Sequence, residues 1–205
     1  MKSETMAMKP DFVFNVAPSE LRTFHFLLQQ GLRIETPLGG SVQDFLVRQL
    51  GLNPEVIEEK IQTIFLNGKA LDDPGRAFLT DGVSLALSGA LPGLVGATMR
   101  RGGFYSSLRD PITFQGGTGF QGPQKGKILL KVFNILVKDL GHRILEKGFM
   151  IKQSELRDFL RRNESKLEDE CQIRDGDGVE IPYRNLLIAS SDESGKDIFV
   201  KVISR

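Results

Sequence analysis

The sequence predicts an α+β fold in two parts, and three observations carry that prediction. Asn67-Gly68 lies between the apolar runs TIFL and KAL, and Asn-Gly in this setting is the strongest short-range signal of a β-hairpin because both residues accept a positive φ. Asp81-Gly82 repeats the signal ahead of VSLAL. Residues 42–50 repeat apolar side chains at helical spacing instead. Strands and an amphipathic helix are therefore expected side by side.

The composition of the chain limits the classes of function that it could have. The chain has 205 residues, 27 of them basic and 26 acidic, for a net charge of +1. That balance gives no electrostatic case for nucleic acid or an acidic membrane surface. The single cysteine, Cys171, excludes an internal disulfide, which suits a reducing compartment. With no signal peptide and no apolar run near the ~20 residues of a bilayer span, we expect a cytoplasmic protein without a membrane segment.

The first stretch of the chain predicts a tail, a strand and a hairpin. Residues 1–11 are polar and predict a flexible tail, and FVFNV after them predicts a short strand. In residues 21–28, Phe24, Phe26 and Leu28 alternate along one face of a predicted strand. A Gln-Gln-Gly turn and LRIETPL follow, so this strand and the next form a predicted hairpin.

The next stretch predicts the helix. Ser41 is a good N-cap, and Asp44 three residues later makes an approximate capping box. Gly51 is suited to the C-terminal cap, and Asn53-Pro54 could start one further helical turn. The apolar face consists of Val42, Phe45, Leu46 and Leu50.

The order hairpin, helix, strand, turn, strand over residues 21–87 is that of a β-grasp, in which a sheet wraps one helix. The helix GGSVQDFLVRQLGL, the turn FLNGKAL and the strand entry TDGVSLAL resemble the small sulfur carriers of molybdopterin and thiamine synthesis, which are ubiquitin-like. That family has a recurring VNG turn and L-x-D-G-D-x-V entry, matched here at Asn67-Gly68 and residues 79–83. The resemblance covers residues 21–95 and implies an N-terminal β-grasp (ubiquitin-like) module over residues 12–95.

Two further regions follow this module. Ten of the 22 glycines fall between Gly89 and Gly126, so residues 96–126 are predicted as a glycine-rich linker or a functional loop. Residues 127–205 are predicted as a smaller C-terminal α+β unit.

The C-terminal unit is predicted to hold one or two helices and an antiparallel meander. KILLKVFNILVKDLGHRILEK predicts a helix ending at Gly148, and a strand over residues 128–137 stays as the alternative. Ser154 is expected to cap a second helix that buries Leu156, Phe159 and Leu160. The meander would consist of CQI, VEIPY, LLIAS and DIFVKVI.

Gly102-Gly103 is the first candidate site. Carriers of the resembled family end in Gly-Gly, because a tail without side chains can thread into an activating enzyme and present its carboxylate. The resemblance therefore implies a carrier terminus at Gly103. Phe104 follows it in this chain, so this alternative, a sulfur or conjugation carrier, requires cleavage after Gly103.

The second candidate site is an interaction loop around the same glycines. Arginines and aromatic side chains together can bind single-stranded nucleic acid by charge and stacking. Three arginines in a neutral protein are a weak basis for that function, and a loop that docks its aromatic side chains is favoured. The residues are Arg100, Arg101, Phe104, Tyr105 and Arg109.

A glycine motif supplies the third candidate. Gly117, Gly119 and Gly122 fit G-x-G-x-x-G, which would cradle a nucleotide or phosphate if a buried strand preceded it and a helix began inside it. DPITFQ is a poor buried strand and Pro123 interrupts the helix start. Glycines of a linker are favoured, and phosphate binding is the alternative.

No catalytic, metal or cofactor site is predicted. Two histidines and one cysteine do not make a metal cluster. The acidic turn at residues 175–178 fails as a calcium loop, because Ile173 and Arg184 would occupy ligand positions. The favoured hypothesis is a non-enzymatic module that binds a protein partner or forms a homo-oligomer through a sheet edge, the loop, or the apolar face of residues 128–145.

Overall fold

The computed structural model describes residues 8–114, 124–188 and 195–205. The chain is mixed α+β, as the sequence predicts. It divides into two compact units. The central unit comprises residues 24–144, and the terminal unit combines the N-terminal residues up to Thr23 with Leu145–Arg205. These boundaries do not coincide with the predicted division into residues 12–95 and 127–205.

Strands and helices alternate along the described parts of the chain. The strands are β1 (Phe12–Val16), β2 (Leu32–Pro37), β3 (Thr63–Leu66), β4 (Lys69–Ala70), β5 (Ser84–Ser88), β6 (Lys125–Phe133), β7 (Phe149–Lys152), β8 (Cys171–Asp175), β9 (Glu180–Ile181) and β10 (Asp197–Ser204). The helices are α1 (Leu21–Gln30), α2 (Val42–Asp44, continued by a π-helical turn, Phe45–Gln49), α3 (Pro54–Lys60), α4 (Gly93–Met99), a 3-10 helix (Phe104–Ile112), α5 (Ile135–Lys147), α6 (Gln153–Arg162), α7 (Glu164–Leu167) and α8 (Tyr183–Ile188).

The central unit contains strands in the order β4-β3-β5-β6-β2. β6 runs parallel to β5 and antiparallel to β2, and β3 is antiparallel to both β4 and β5. Alternate residues of the strands face the core, where the helix that begins at Val42 also buries its apolar side chains. Fully or nearly fully buried members of this core are Val42, Phe45, Leu46, Leu85, Leu87, Leu130 and Val132.

The terminal unit contains strands in the order β9-β8-β1-β10-β7. β1 runs parallel to β10 and antiparallel to β8, and β10 is antiparallel to β7. Apolar side chains of these strands and of α6 are buried, with an exposed fraction of at most 3%: Phe14, Val16, Phe149, Leu156, Phe159, Leu160, Val200 and Val202.

Several local predictions are confirmed. The Ser41 hydroxyl accepts a hydrogen bond from the Asp44 N–H at 3.0 Å, and the Ser41 N–H donates to the Asp44 carboxylate at 3.3 Å. Asn67 and Gly68 have φ of 49° and 77°, as their turn requires. The turn after β8 is held by the Asp175 carboxylate, which accepts two backbone N–H groups. Short polar motifs therefore fix the predicted turns.

The predicted strand over residues 21–28 is wrong, because this stretch forms α1. The buried side chains are Phe24, Leu27 and Leu28, which share one face at helical spacing. Phe26, which the strand prediction placed beside Phe24, is 51% exposed. The predicted hairpin consequently does not form, and the antiparallel neighbour of β2 within the central unit is β6.

The helix predicted to start before residue 135 is also wrong in its first part. Residues 125–133 form β6, and the strand that the sequence left as an alternative is the observed structure there. Asn134 has φ of 58° and marks the change from strand to helix. α5 follows and ends before Gly148, at φ 97°, as predicted. Apolar alternation and helical spacing follow each other here, and together they resemble one long helix.

The predicted C-terminal meander is wrong in two places. The stretch read as the strand LLIAS begins inside α8, which ends at Ile188. The last strand, β10, lies parallel to β1 rather than in an antiparallel meander. Ser154 lies within α6, which begins one residue earlier, although the helix buries the three predicted apolar side chains.

Candidate interaction surface

A segment of the central unit between β5 and β6 leaves the sheet and folds back on itself. In it α4 and the 3-10 helix contact each other. Gly96 makes the start of this arrangement feasible, because a Cβ at that position would lie only 1.8 Å from the Leu91 carbonyl oxygen. We call residues 93–114 the anchored segment.

Arg109 is the main anchor. Its side chain is 2% exposed and lies 2.6 Å from the Asp72 carboxylate. The same guanidinium donates to the Thr98 carbonyl at 2.7 Å and to the Thr113 hydroxyl at 3.0 Å. Asp72 also accepts the Gly102 N–H at 3.0 Å. The ion pair between the buried Arg109 and the partly exposed Asp72 therefore joins both helices of the segment to the loop after β4.

Two further contacts hold the segment. The Arg101 N–H donates to the Gln62 carbonyl at 2.8 Å, and its guanidinium donates to the Ile57 carbonyl at 2.9 Å and lies 3.4 Å from Glu58. At the far end, the Phe114 N–H donates to the Ala70 carbonyl at 2.8 Å. The backbone of the segment is thus bonded to the rest of the central unit in its middle and at its end.

Large apolar side chains of the anchored segment nevertheless point to solvent. Phe104 is 91% exposed and Leu94 is 71% exposed. The rings of Phe104 and Tyr105 meet edge to face, with centroids 5.2 Å apart, an arrangement that aromatic pairs prefer. We call the exposed set the apolar patch; it consists of Leu94, Val95, Phe104, Tyr105 and Leu108.

The structure separates the predicted loop residues into two groups. Arg109 is buried, Arg101 is partly buried, and both are paired with carboxylates, whereas Phe104 and Tyr105 are exposed. Of the three predicted arginines, Arg100 alone is exposed. The arginines therefore position the loop, and little charge remains for the nucleic-acid binding that the sequence already disfavoured.

Sequence reasoning missed Asp72. It lies in LDDPGR, which looks like an ordinary polar turn, and nothing local marks its partner 37 residues away. Leu94, Val95 and Leu108 were also missed, because isolated apolar residues in a glycine-rich stretch carry no periodic signal. A cleft of about 310 Å³ opens beside Asp72. Groups that already serve the anchor line much of it, so it forms part of the same site.

Gly102 and Gly103 lie in a folded turn. Gly102 has φ of 62° and donates its N–H to Asp72, and the Gly103 N–H donates to the Arg100 carbonyl at 3.1 Å. A carrier terminus at Gly103 would require both cleavage and release of this turn, so the geometry offers that alternative no support. Gly117, Gly119 and Gly122 lie outside the described residues, and phosphate binding there stays a prediction.

Other reactive groups form no second site. Burial raises the pKa of the Cys171 thiol to about 12, so this cysteine is protonated and unreactive at neutral pH. Burial also raises the pKa of Tyr183, whose hydroxyl donates to the Leu160 carbonyl at 2.8 Å. Across the described residues, no cluster of three His, Cys, Asp or Glu side chains could hold a metal ion.

Comparisons with known proteins find no match for this chain. No protein-family model matches the chain, and neither the curated proteins nor the solved structures give a significant match. Within the parts of the chain described here, every helix is too short or too polar to cross a bilayer.

Proposed function

We propose that the chain is a protein-interaction module whose contact surface is the apolar patch and whose partner there is a second copy of the chain. The observation that carries this proposal is the contrast within one segment: its backbone is held by the pair between the buried Arg109 and Asp72, while Phe104 and its neighbours are exposed. A surface that is already ordered loses little conformational entropy when it binds. Exposed aromatic side chains held this way are the usual centres of binding energy.

Charge supports a second copy as the occupant. The net charge of the chain is +1, so two copies approach with little repulsion. The patch itself carries no charged side chain, and a two-fold contact would place apolar side chains against the same set. The like-charge contacts that normally prevent self-association are therefore absent from the patch.

Burial argues against the apolar face of residues 128–145 as the contact. Ile128, Leu130 and Val132 are at most 1% exposed, and Leu136 and Leu140 at most 3%. These side chains already serve the core, whereas Ile135 is exposed in that stretch. The apolar patch is therefore the better contact surface for the predicted homo-oligomer.

The outer strands offer little for pairing with another chain. β4 and β9, each at one end of the strand order of its unit, are two residues long, and so short an edge is a poor template. In addition, the Ala70 carbonyl of β4 already accepts the Phe114 N–H. The anchored segment is consequently favoured over an edge as the interaction site.

We infer further that the central unit is a β-grasp in which a later strand replaces the usual first one. In that fold the first strand lies between the second strand and the last strand. It runs antiparallel to the second strand and parallel to the last strand. β6 has this relation to β2 and β5. The helix that begins at Val42 follows β2 and packs its apolar side chains into the core, as the resemblance to ubiquitin-like carriers implies. Fold alone does not determine function, so the interaction proposal rests on the patch.

Self-association tests the function. Light scattering coupled to size exclusion should show the mass of a wild-type dimer, twice 22.8 kDa, at high protein concentration. Phe104→Ser combined with Leu108→Ser should weaken the dimer at least about tenfold, since a single central contact is often worth more than ~1 kcal/mol. Ile188→Ser is the matched control, because Ile188 is 77% exposed but lies outside the patch. A wild-type monomer at every concentration, or equal effects of patch and control substitutions, would remove the proposal.

A further inference from the structure

The same order of elements occurs twice along the chain. The first half, residues 12–88, runs β1, α1, β2, α2, α3, β3, β4, β5. The second half, residues 125–204, runs β6, α5, β7, α6, α7, β8, β9, β10, with α8 inserted before its last strand. In each half a strand, a helix and a strand precede two helical segments and three further strands. A repeated order of eight elements indicates an internal duplication.

Local features match at equivalent places in the two halves. The first helix of each half ends at a glycine of positive φ, Gly31 at 117° and Gly148 at 97°. The following helix carries the same short pattern, VQDFLVR at residues 42–48 and LRDFLRR at residues 156–162. Its apolar positions are buried in both halves: Val42, Phe45 and Leu46 in the first, Leu156, Phe159 and Leu160 in the second.

The first strand of each half pairs with the other half. β6 belongs to the second half, but it lies in the central unit between β5 and β2. β1 belongs to the first half, but it lies in the terminal unit between β10 and β8. In both units this strand runs parallel to the fifth strand of the half that receives it. The exchange is reciprocal.

We propose that each half carries a strand-binding site along its fifth strand and that the partner of this site is the first strand of the other half. Each site takes an extended segment whose alternate residues are apolar. β6 fills the central site with Ile128, Leu130 and Val132, and β1 fills the terminal site with Phe14 and Val16, all at most 1% exposed. Without the strand that comes from the other half (β6 in the central unit, β1 in the terminal unit), each unit would expose unpaired backbone on both strands beside it.

The two sites differ on their other side. In the central unit the strand from the other half also contacts β2, the second strand of the receiving half, whereas in the terminal unit it contacts β8, the third. The strand from the other half and the fifth strand have therefore traded places between the strand orders of the two units. β1 and β6 are consequently matched to different neighbours, which gives each site its own partner.

Hydrogen exchange on the full chain tests the crossing. Phe14→Leu and Leu130→Val each trim one buried side chain while keeping it apolar. Phe14→Leu should speed amide exchange about fivefold or more in β8 and β10 and leave β2 and β5, the neighbours of β6, unchanged, because ~1 kcal/mol of local stability corresponds to such a factor. Leu130→Val should do the reverse. Val13→Ala, on the outer face of β1, is the control.

Exchange that rises in the strands of a variant's own half would overturn the proposal. If both variants open the whole chain together, a second measurement decides. A protease site inserted between Phe114 and Gln124 would separate the halves covalently, and the cut halves should still elute as one 1:1 species until denaturant is added. Halves that separate and stay folded would contradict the exchange. The Phe104→Ser and Leu108→Ser substitutions should change neither result, since the strand sites do not involve the apolar patch.

Discussion

At the scale of single residues, Arg109 is the side chain on which the anchored segment depends. It connects Asp72 to two parts of the segment through hydrogen bonds to the Thr98 carbonyl and the Thr113 hydroxyl. A guanidinium suits this position because its planar fork serves several acceptors at once. A lysine would provide the charge without the geometry.

We expect Arg109→Ala to lower the free energy of unfolding by about 2–3 kcal/mol. Breaking a buried pair costs about 3–5 kcal/mol, and the partial exposure of the Asp72 side chain, 36%, reduces that figure because water can solvate its carboxylate. Urea denaturation measures the change. The matched control is Arg76→Ala, whose pair with Asp73 is exposed on both sides and should be worth less than about 1 kcal/mol. Equal losses in the two variants would contradict the anchor.

Burial of Cys171 makes the free energy of unfolding depend on pH in the alkaline range. Burial raises its pKa from 9.0 to about 12, so the folded chain keeps a proton that the unfolded chain releases. Its contribution is complete below pH 9 and is lost as the pH rises toward 12. Between pH 8 and pH 10 the free energy of unfolding should therefore fall by about 1.4 kcal/mol through this group.

Cys171→Ala isolates that contribution. Tyr183, whose pKa is also raised by burial, adds a fall of the same sign and is present in both chains. Urea denaturation at the two pH values should give a smaller fall in the variant than in the wild type. Identical falls would show that the thiol does not titrate as its burial requires.

At the scale of elements, α1 shows where sequence reasoning stops. LRTFHFLLQQ satisfies two patterns, alternation through Phe24 and Phe26 and helical spacing through Phe24, Leu27 and Leu28. Packing of the second set into the core decides for the helix. Turns were easier to predict, because Asn67-Gly68 and the Ser41–Asp44 box specify their own backbone locally.

Two substitutions distinguish the helix from the predicted strand. Phe24→Ala should lower the free energy of unfolding by about 3–5 kcal/mol, the usual cost of deleting a buried phenylalanine, since Phe24 is completely buried. Phe26→Ala should cost less than about 1 kcal/mol because half of that side chain is exposed. A strand would place both rings on one face, so similar losses in thermal or urea unfolding would contradict α1.

Only part of the candidate site could be predicted, because local sequence patterns do not reveal contacts between distant residues. Residues 100–109 were identified from their composition, and the structure shows several of them either in ion pairs or exposed to solvent. Their division between these roles depends on Asp72, which is distant in sequence. A buried partner far along the chain leaves no local pattern from which it could be inferred.

At the scale of the whole molecule, strand pairing over long distances divides the chain differently from the predicted domains. Phe12 pairs with Val200, almost the full length of the chain away. β6 looks like the start of a C-terminal unit but completes the sheet of the central one. Even where hydrophobic periodicity identifies a strand, as in residues 12–16, it does not show which strand lies beside it.

The position of β1 has a consequence for the growing chain. Among the described strands it is synthesised earliest, while its neighbours β8 and β10 begin at Cys171 and Asp197. At about 5–20 residues per second, roughly 10–30 s pass before β8 starts to appear. During that time the Phe14 side chain has no finished core to enter. A synthesis that stops before Asp197 leaves β1 without its parallel partner, so that an interrupted product keeps the apolar side chains of Phe14 and Val16 out of their core.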